Sequence, residues 1–182
     1  MRMLKTVISV VALMSLAAGC ATAPKSDAAK EDLSDSAGVA LKRFYREDPD
    51  LKAFIDTSAG YVVFPEVGKG GLVVGGTYGR GIVYQGETAI GYADMSKVSV
   101  GATVGGQTFA EVIVFQNALA LNDFKNGKLA FAADASAVAL KSGGAASAKY
   151  NNGVAVFVDN RGGLMADASV GGQKFTFVPI EK

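Results

Sequence analysis

The sequence predicts an α+β fold: a Gly-rich antiparallel sheet, curled or barrel-like, with two N-terminal helices and one inserted helix. Three observations predict it. Apolar residues recur at helical spacing between Leu33 and Ile55. From Tyr61 onward, helical spacing gives way to short β-branched and aromatic runs separated by glycine. The chain has 23 glycines in 182 residues, which favours tight strand bends and a curved sheet.

Residues 1–19 have the pattern of a lipoprotein signal peptide. Arg2 and Lys5 precede an apolar run from Val7 to Ala18, which matches the charged and hydrophobic regions of such a peptide. The run is too short to span a bilayer. Because small residues lead directly into Cys20, the sequence predicts cleavage before this cysteine and its acylation. Cys20 would then be the first mature residue and the lipid anchor.

Cys20 is the only cysteine in the chain, so it has no intramolecular disulfide partner. The alternative is a plain thiol behind an ordinary cleavage site. Two or three acyl chains would make attachment effectively permanent, and Ala21 after the cysteine favours the outer membrane of a Gram-negative bacterium over the inner one. Small polar residues predict a flexible tether, so that residues 20–32 form the lipidated cysteine and tether and residues 33–182 form one domain.

The helices and turns follow from local signals. Leu33, Ala37 and Phe44 mark the apolar stripe of the first helix. Asp48 is the expected N-cap of the second helix, which has Pro49 in its first turn and ends near Gly60. The inserted helix is predicted from Ala118 to Asn126 with Asn117 as its cap and Gly127 at its end. Hairpin turns are predicted at Gln85-Gly86-Glu87, Asn152-Gly153 and Arg161-Gly162-Gly163.

The strands are predicted where β-branched and aromatic residues cluster, and together they indicate a meandering antiparallel sheet. The predicted strands are Tyr61 to Phe64, Leu72 to Tyr84, Ala89 to Val104, Phe109 to Phe115, Leu129 to Leu140, Val154 to Val158, Leu164 to Val170 and Phe175 to Ile180. The segment Ala102 to Phe109 is echoed by Ala168 to Phe175, which predicts two units of similar local geometry. Gln107 and Gln173 are expected to hydrogen-bond backbone at equivalent bends.

Composition argues against most catalytic chemistry. The chain has no histidine, and its single cysteine is expected to be acylated, so the commonest acid/base and nucleophile arrangements are excluded. We expect a non-enzymatic protein with no cofactor and no metal site. A hydrolase that uses Asp94 with Ser96 or Ser99 is the one enzymatic alternative. Gly68 to Gly71 lacks the Ser/Thr and the following helix of a phosphate-binding loop.

The net charge limits the kinds of partner that the protein is expected to bind. Removal of residues 1–19 takes away two of the 18 basic residues, so the 17 acidic residues outnumber the remaining basic ones by one. Because no global basic field exists, non-specific nucleic-acid binding is not expected. Attraction to anionic lipid would need a local patch. The candidates for lipid binding are Lys42, Arg43, Arg46, Lys52, Lys69 and Arg80. The alternative is an ordinary solvated helix face balanced by Glu47, Asp48 and Asp50.

One set of glycine-rich landmarks resembles the SYLF-domain family. It comprises Phe64 to Gly71, Gly75 to Gly81, Val104 to Gln107, Val114-Phe115, Gly163 to Met165 and Gly171 to Lys174. The resemblance covers roughly Ala37 to Ile180. It implies a lipid-binding module, since eukaryotic relatives bind phosphoinositides and some bind or bundle actin, while bacterial members are envelope lipoproteins. Lys69 matches the family's Phe-Pro-x-Val-x-Lys landmark, and the actin role transfers poorly because no segment here marks an actin contact.

The leading expectation is therefore a lipid-anchored envelope protein whose domain binds anionic phospholipid headgroups. The alternative is a protein-interaction module or surface antigen that binds an envelope or host protein through exposed sheet edges or an apolar patch.

Overall fold

The computed structural model describes residues 23–71, 74–129, 137–139, 143–162, 165–170 and 173–181. The predicted signal peptide, Cys20 and the first tether residues lie outside this part of the chain. The helices are α1 (Asp27–Glu47), α2 (Asp50–Asp56), α3 (Ala118–Lys125) and α4 (Gly144–Ser147). The strands are β1 (Gly60–Gly71), β2 (Val74–Gln85), β3 (Thr88–Phe115), β4 (Ala137–Ala139), β5 (Val154–Gly162), β6 (Met165–Val170) and β7 (Gln173–Pro179).

Helix α1 begins within the predicted tether. The Ser26 hydroxyl accepts a hydrogen bond from the Ala29 amide at 3.2 Å, which makes Ser26 the N-cap. Asp27 lies in the first turn, where its negative charge favours the helix N-terminus. The prediction of a flexible coil across residues 27–32 is therefore wrong, because alanine, lysine and glutamate in this stretch are strong helix formers.

Asp48 does not cap α2 as predicted. Pro49 occupies the N-cap position and makes no side-chain cap hydrogen bond. Asp48 is buried, and its Oδ2 instead accepts a hydrogen bond of 2.6 Å from the Ala145 amide in the first turn of α4. This carboxylate therefore ties the α1–α2 connection to α4, a short helix that local sequence signals did not predict.

Strand β3 organises the sheet. Seven strands form one sheet in which β3 pairs with β1, β2, β5, β6 and β7, and β4 adds to β5. All pairs are antiparallel except the parallel β4–β5 pair. Within the described residues β4, β6 and β7 each pair with one strand only, so the sheet is curled and not closed.

The curl follows from the strand directions. Strands β1 and β2 are antiparallel to each other, yet both are antiparallel to β3. This is possible only if β3 reverses its direction between the half that pairs with β2, up to Val100, and the half that pairs with β1, from Gly105. Gly105 has a φ of 106°, a conformation that glycine adopts at little cost. The two strands predicted from Ala89 to Phe115 are therefore one hydrogen-bonded strand with a sharp bend.

Pro65 produces a second irregularity. The register of β1 shifts around Phe64 to Val67 against both neighbouring strands. Proline lacks an N–H group, so it is accommodated in strands at edges and bulges. Strand β1 then continues to Gly71, whereas the sequence predicted that the strand ends at Phe64.

The C-terminal segments also differ from the sequence prediction. Strands β5, β6 and β7 pair in succession along β3, from Phe115 with Val154 to Gly91 with Pro179. The predicted hairpin at Arg161-Gly162-Gly163 is wrong, because β5 and β6 each pair with β3 and not with each other. Arg161 and Gly162 belong to β5, and Gly163 lies outside the described residues. The turn at Asn152-Gly153 is confirmed, with φ values of 50° and 79° and reciprocal bonds between Asn151 and Val154. Most of the strand predicted from Leu129 to Leu140 lies outside the described residues.

Two apolar clusters cover the two faces of the sheet. On one face, α3 contributes Leu121 and Phe124 to a cluster with Phe64, Phe115 and Phe175. On the opposite face, α1, α2 and α4 pack on the sheet through a second cluster, whose members include Ala37, Phe44, Leu51, Ile55, Ala145 and Phe157. The prediction of an α+β fold with two N-terminal helices and one inserted helix is confirmed.

Candidate functional site

The six basic residues predicted from the sequence do not converge on one site. Arg43 and Arg80 are held by buried or nearly buried carboxylates, Lys69 lies on β1, and Lys42, Arg46 and Lys52 lie on the surface of α1 and α2. Two clefts lined by described residues flank α1. The polar groups in each decide what it can bind.

Arg43 is part of a structural ion pair. Its Nη2 donates a hydrogen bond of 3.1 Å to Asp159 Oδ1, and its Nε lies 2.8 Å from Oδ2. The Asp159 side chain is only 8% exposed, and Arg161 Nε lies 3.7 Å from the same oxygen. The pair joins α1 to β5. A buried carboxylate needs such partners, so the role of Arg43 is structural.

Arg80 also forms an ion pair within the fold. Its Nε donates to Asp94 Oδ1 at 3.3 Å and to the Tyr78 hydroxyl at 3.2 Å, and its guanidinium lies 6.0 Å from the centre of the Tyr78 ring. Asp94, named in the hydrolase alternative, is therefore occupied by an arginine. Lys69 is half-buried, and its strand position pairs with Thr77 on β2 and Gln107 on β3.

The remaining three residues form what we call the α1–α2 basic surface: Lys42, Arg46 and Lys52. All three side chains are exposed. Lys52 Nζ lies 2.7 Å from Asp56 Oδ2, and Arg46 lies 3.6 Å from Glu47. The hydrogen bond to Asp56 raises the pKa of Lys52. Exposed ion pairs of this kind contribute only about 0–1 kcal/mol, so an external anion can compete for these cations.

Below this surface lies a cleft of about 430 Å³, which we call the tyrosine cleft. Its lining includes Lys42 from α1, Lys52 from α2, and three tyrosines from α1, β1 and β2, namely Tyr45, Tyr61 and Tyr84. The Tyr61 and Tyr84 rings stack with centroids 5.0 Å apart. Asp56 of α2 and Glu87 of the β2–β3 turn complete the charged lining.

Burial perturbs the phenols of this cleft. Burial, together with the carboxylates of Asp56 and Glu87, raises the pKa of Tyr45 to about 12. Burial also raises the pKa of Tyr61, where Tyr45, Tyr84, Glu87 and Asp56 contribute further. The phenols therefore stay protonated at neutral pH and act as hydrogen-bond donors and apolar surface.

The second cleft lies on the other flank of α1 and has a volume of about 820 Å³. Exposed apolar groups line it, among them Val39, which is 66% exposed, and Tyr78. Its acidic lining residues are Asp32, Asp35 and Glu66. Because its two arginines, Arg80 and Arg161, already contact carboxylates, this apolar groove has an acidic rim.

The glutamines of the repeat are not equivalent. Gln107 Nε2 donates to Asn160 Oδ1 at 2.9 Å, whereas Gln173 is buried with its Nε2 3.4 Å from the Met95 sulfur. The prediction that both bond to backbone at matching bends is wrong. The segments are instead neighbours, since Ala102 pairs with Ala168.

A scan against protein-family models and a search of curated proteins found no match. The resemblance to the SYLF-domain family therefore stays a prediction. Within the described ranges, no helix has the length and apolar character needed to cross a membrane. The same part of the chain contains no cluster of three or more His, Cys, Asp or Glu residues suited to hold a metal ion.

Proposed function

We propose that the chain is a non-enzymatic, lipid-anchored envelope protein, tethered through Cys20, whose α1–α2 basic surface contacts anionic phospholipid headgroups. The supporting observation is that Lys42 and Lys52, from two different helices, line the same cleft beside exposed Arg46. Arg43 and Arg80 are excluded from this role because their guanidiniums are bound to carboxylates. A family resemblance to lipid-binding SYLF domains points the same way.

The energetics are compatible with a weak contact made effective by the anchor. Each lysine or arginine near an anionic surface contributes about 1 kcal/mol, so three side chains give an affinity that is low on its own. Acylation at Cys20 would hold the domain close to the bilayer, where a high effective concentration strengthens a weak second contact. We therefore expect headgroup contact to orient the domain, while the acyl chains supply the attachment.

Vesicle flotation of the mature chain carrying Cys20→Ser tests the headgroup contact without the acyl anchor. We expect binding to vesicles with anionic lipid, weak binding to neutral vesicles, and loss of binding as salt rises. Lys42→Glu should lower partitioning by roughly tenfold. Lys128→Glu is the matched control, because Lys128 is exposed and follows α3 on the opposite face. Equally poor binding to both vesicle types at low salt would refute headgroup recognition.

Mass spectrometry of the processed protein tests the anchor separately. The expected product starts at Cys20 and carries acyl chains, and fractionation should recover it with membranes. An unmodified N-terminus, or recovery of all the protein in the aqueous fraction, would contradict the proposal whatever the vesicles show.

The protein-interaction alternative is favoured by a different observation, the groove with Val39 and Tyr78 exposed beside an acidic rim. Exposed apolar groups rimmed by polar residues are typical of protein contacts. Cross-linking in cells from position 39 would detect such a partner. A reproducible protein partner that persists in the Lys42→Glu variant would favour this function over lipid recognition.

A further inference from the structure

The tyrosine cleft combines aromatic surface with a few polar groups. Tyr61 is only 6% exposed, and it lines the cleft together with half-buried Tyr45 and Tyr84. The ends of tyrosine side chains are polar and their rings are apolar. A pocket with an apolar lining and a few polar groups is the ordinary form of a small-molecule site.

The charges around the cleft are balanced. Lys42 and Lys52 face two carboxylates, Asp56 and Glu87, and all four side chains are exposed at the rim. Since Lys52 already pairs with Asp56 at 2.7 Å, one cation and one carboxylate remain, Lys42 and Glu87. A purely anionic ligand would meet Glu87, and a purely cationic one would meet Lys42. A ligand with both charges satisfies both.

The aromatic lining indicates which end of such a ligand enters. Electron-rich tyrosine faces attract ammonium groups, and quaternary ammonium ligands are recognised by clusters of aromatic rings. The carboxylates of Asp56 and Glu87 line the same cleft as these rings. After burial, they also contribute to the raised pKa of Tyr45 and Tyr61. The tyrosines therefore suit the cationic end, and exposed Lys42 suits the anionic end.

We propose that the tyrosine cleft binds a zwitterion in which a phosphoryl group is joined to an alkylammonium group, with the ammonium against the tyrosines and the phosphoryl group at Lys42. The volume of about 430 Å³ is within the range of small-ligand pockets. This inference deepens the proposed function, on which it rests for the membrane as a source of the ligand. A soluble phosphorylated amine has the same chemistry.

Calorimetry on the mature chain with Cys20→Ser tests the inference with phosphocholine as the probe, against inorganic phosphate and choline. Tyrosine fluorescence gives a second readout, because the chain has six tyrosines and no tryptophan. Phosphocholine should bind at least about tenfold more tightly than either fragment. Tyr84→Leu should weaken binding by about five- to tenfold, and Glu87→Gln by about threefold.

Glu31→Gln is the matched control for Glu87→Gln, since Glu31 is exposed on α1 outside the cleft and should leave phosphocholine binding unchanged. Stronger binding to anionic vesicles that contain phosphatidylcholine than to anionic vesicles without it, reversed by soluble phosphocholine, identifies the lipid headgroup as a source. Binding of the soluble probe alone identifies a free phosphorylated amine. The inference is overturned if phosphocholine does not bind, if inorganic phosphate binds equally well, or if folded Tyr84→Leu and Glu87→Gln variants bind as the parent does. If Lys42→Glu loses binding to anionic vesicles while Glu87→Gln binds phosphocholine as the parent does, the zwitterion site is refuted and the basic-surface proposal remains. Failure of this inference is therefore distinguishable from failure of the proposed function.

Discussion

Replacement of Arg43 by alanine should destabilise the protein without any lipid being present. Arg43 supplies two short contacts, of 2.8 and 3.1 Å, to a carboxylate of Asp159 that is 8% exposed. Removal of one partner from a buried ion pair costs about 3–5 kcal/mol. Here the arginine is 39% exposed and Arg161 remains 3.7 Å from the carboxylate, which reduces the penalty. We expect a loss of about 2 kcal/mol in the free energy of unfolding.

Urea denaturation followed by far-UV circular dichroism measures this loss as a lower midpoint with an unchanged slope. The double variant Arg43→Ala/Asp159→Ala should be less destabilised than the sum of the single variants, by about 1 kcal/mol or more. Arg46→Ala is the matched control, because Arg46 is 72% exposed and lies 3.6 Å from Glu47, and it should change stability by less than about 0.5 kcal/mol. An Arg43→Ala effect as small as that of the control, or strict additivity in the double variant, would refute the structural role.

Three further outcomes are expected from the same measurements. Asp48→Ala should cost about 1–3 kcal/mol, because it removes the acceptor of the buried Ala145 amide; an unchanged midpoint would contradict this contact. Gly81→Ala should lower the free energy of unfolding by about 1–3 kcal/mol, since the added Cβ would lie 2.5 Å from the Val63 carbonyl oxygen. Gly76→Ala should leave the free energy of unfolding unchanged, because there is open space around Gly76. Equal effects of the two substitutions would contradict the packing around Gly81. Folding raises the pKa of Tyr45 to about 12. The contribution of protonated Tyr45 to the free energy of unfolding is therefore complete below the unfolded pKa of about 10, and it is lost as the pH rises toward 12. A free energy of unfolding that does not decline across this pH range would contradict the burial of this phenol.

Local sequence signals could predict the helices but not all of their contacts. The apolar stripe that includes Ala37 and Phe44 identifies α1, and the Asn117 cap of α3 is confirmed by its 3.0 Å hydrogen bond from the Ala120 amide. Apolar periodicity begins only at Leu33, so the start of α1 six residues earlier, after the Ser26 cap, was not predicted. Aspartate is a common helix cap, but the Asp48 carboxylate accepts a hydrogen bond from the Ala145 amide of α4 instead.

Strand pairing was harder to predict because alternation of side chains does not identify partners. The glycines around Gly105 were readable as a bend, but the continuous pairing of β3 on both sides of it depends on segments distant in sequence. Arg161-Gly162-Gly163 has the composition of a hairpin turn. Whether two strands form a hairpin depends on the strand with which each one pairs, and here β5 and β6 both pair with β3.

The candidate site could be predicted only in part for the same reason. Lys42 and Arg46 were readable as exposed positions on an amphipathic helix. The partner of Arg43 lies 116 residues away, so its structural role has no local signature. The tyrosine cleft also went unpredicted, because Tyr45, Tyr61 and Tyr84 come from three elements that only the folded chain brings together.

The position of β5, β6 and β7 along β3 has a consequence for the order of assembly. During synthesis the first 115 residues can form the β1–β2–β3 unit. One side of β3 then exposes unpaired backbone groups until the last part of the chain is made. An open strand edge is a template for association with other chains. A chain truncated before Val154 would therefore be prone to aggregate, so the C-terminal strands protect the whole molecule by covering this edge.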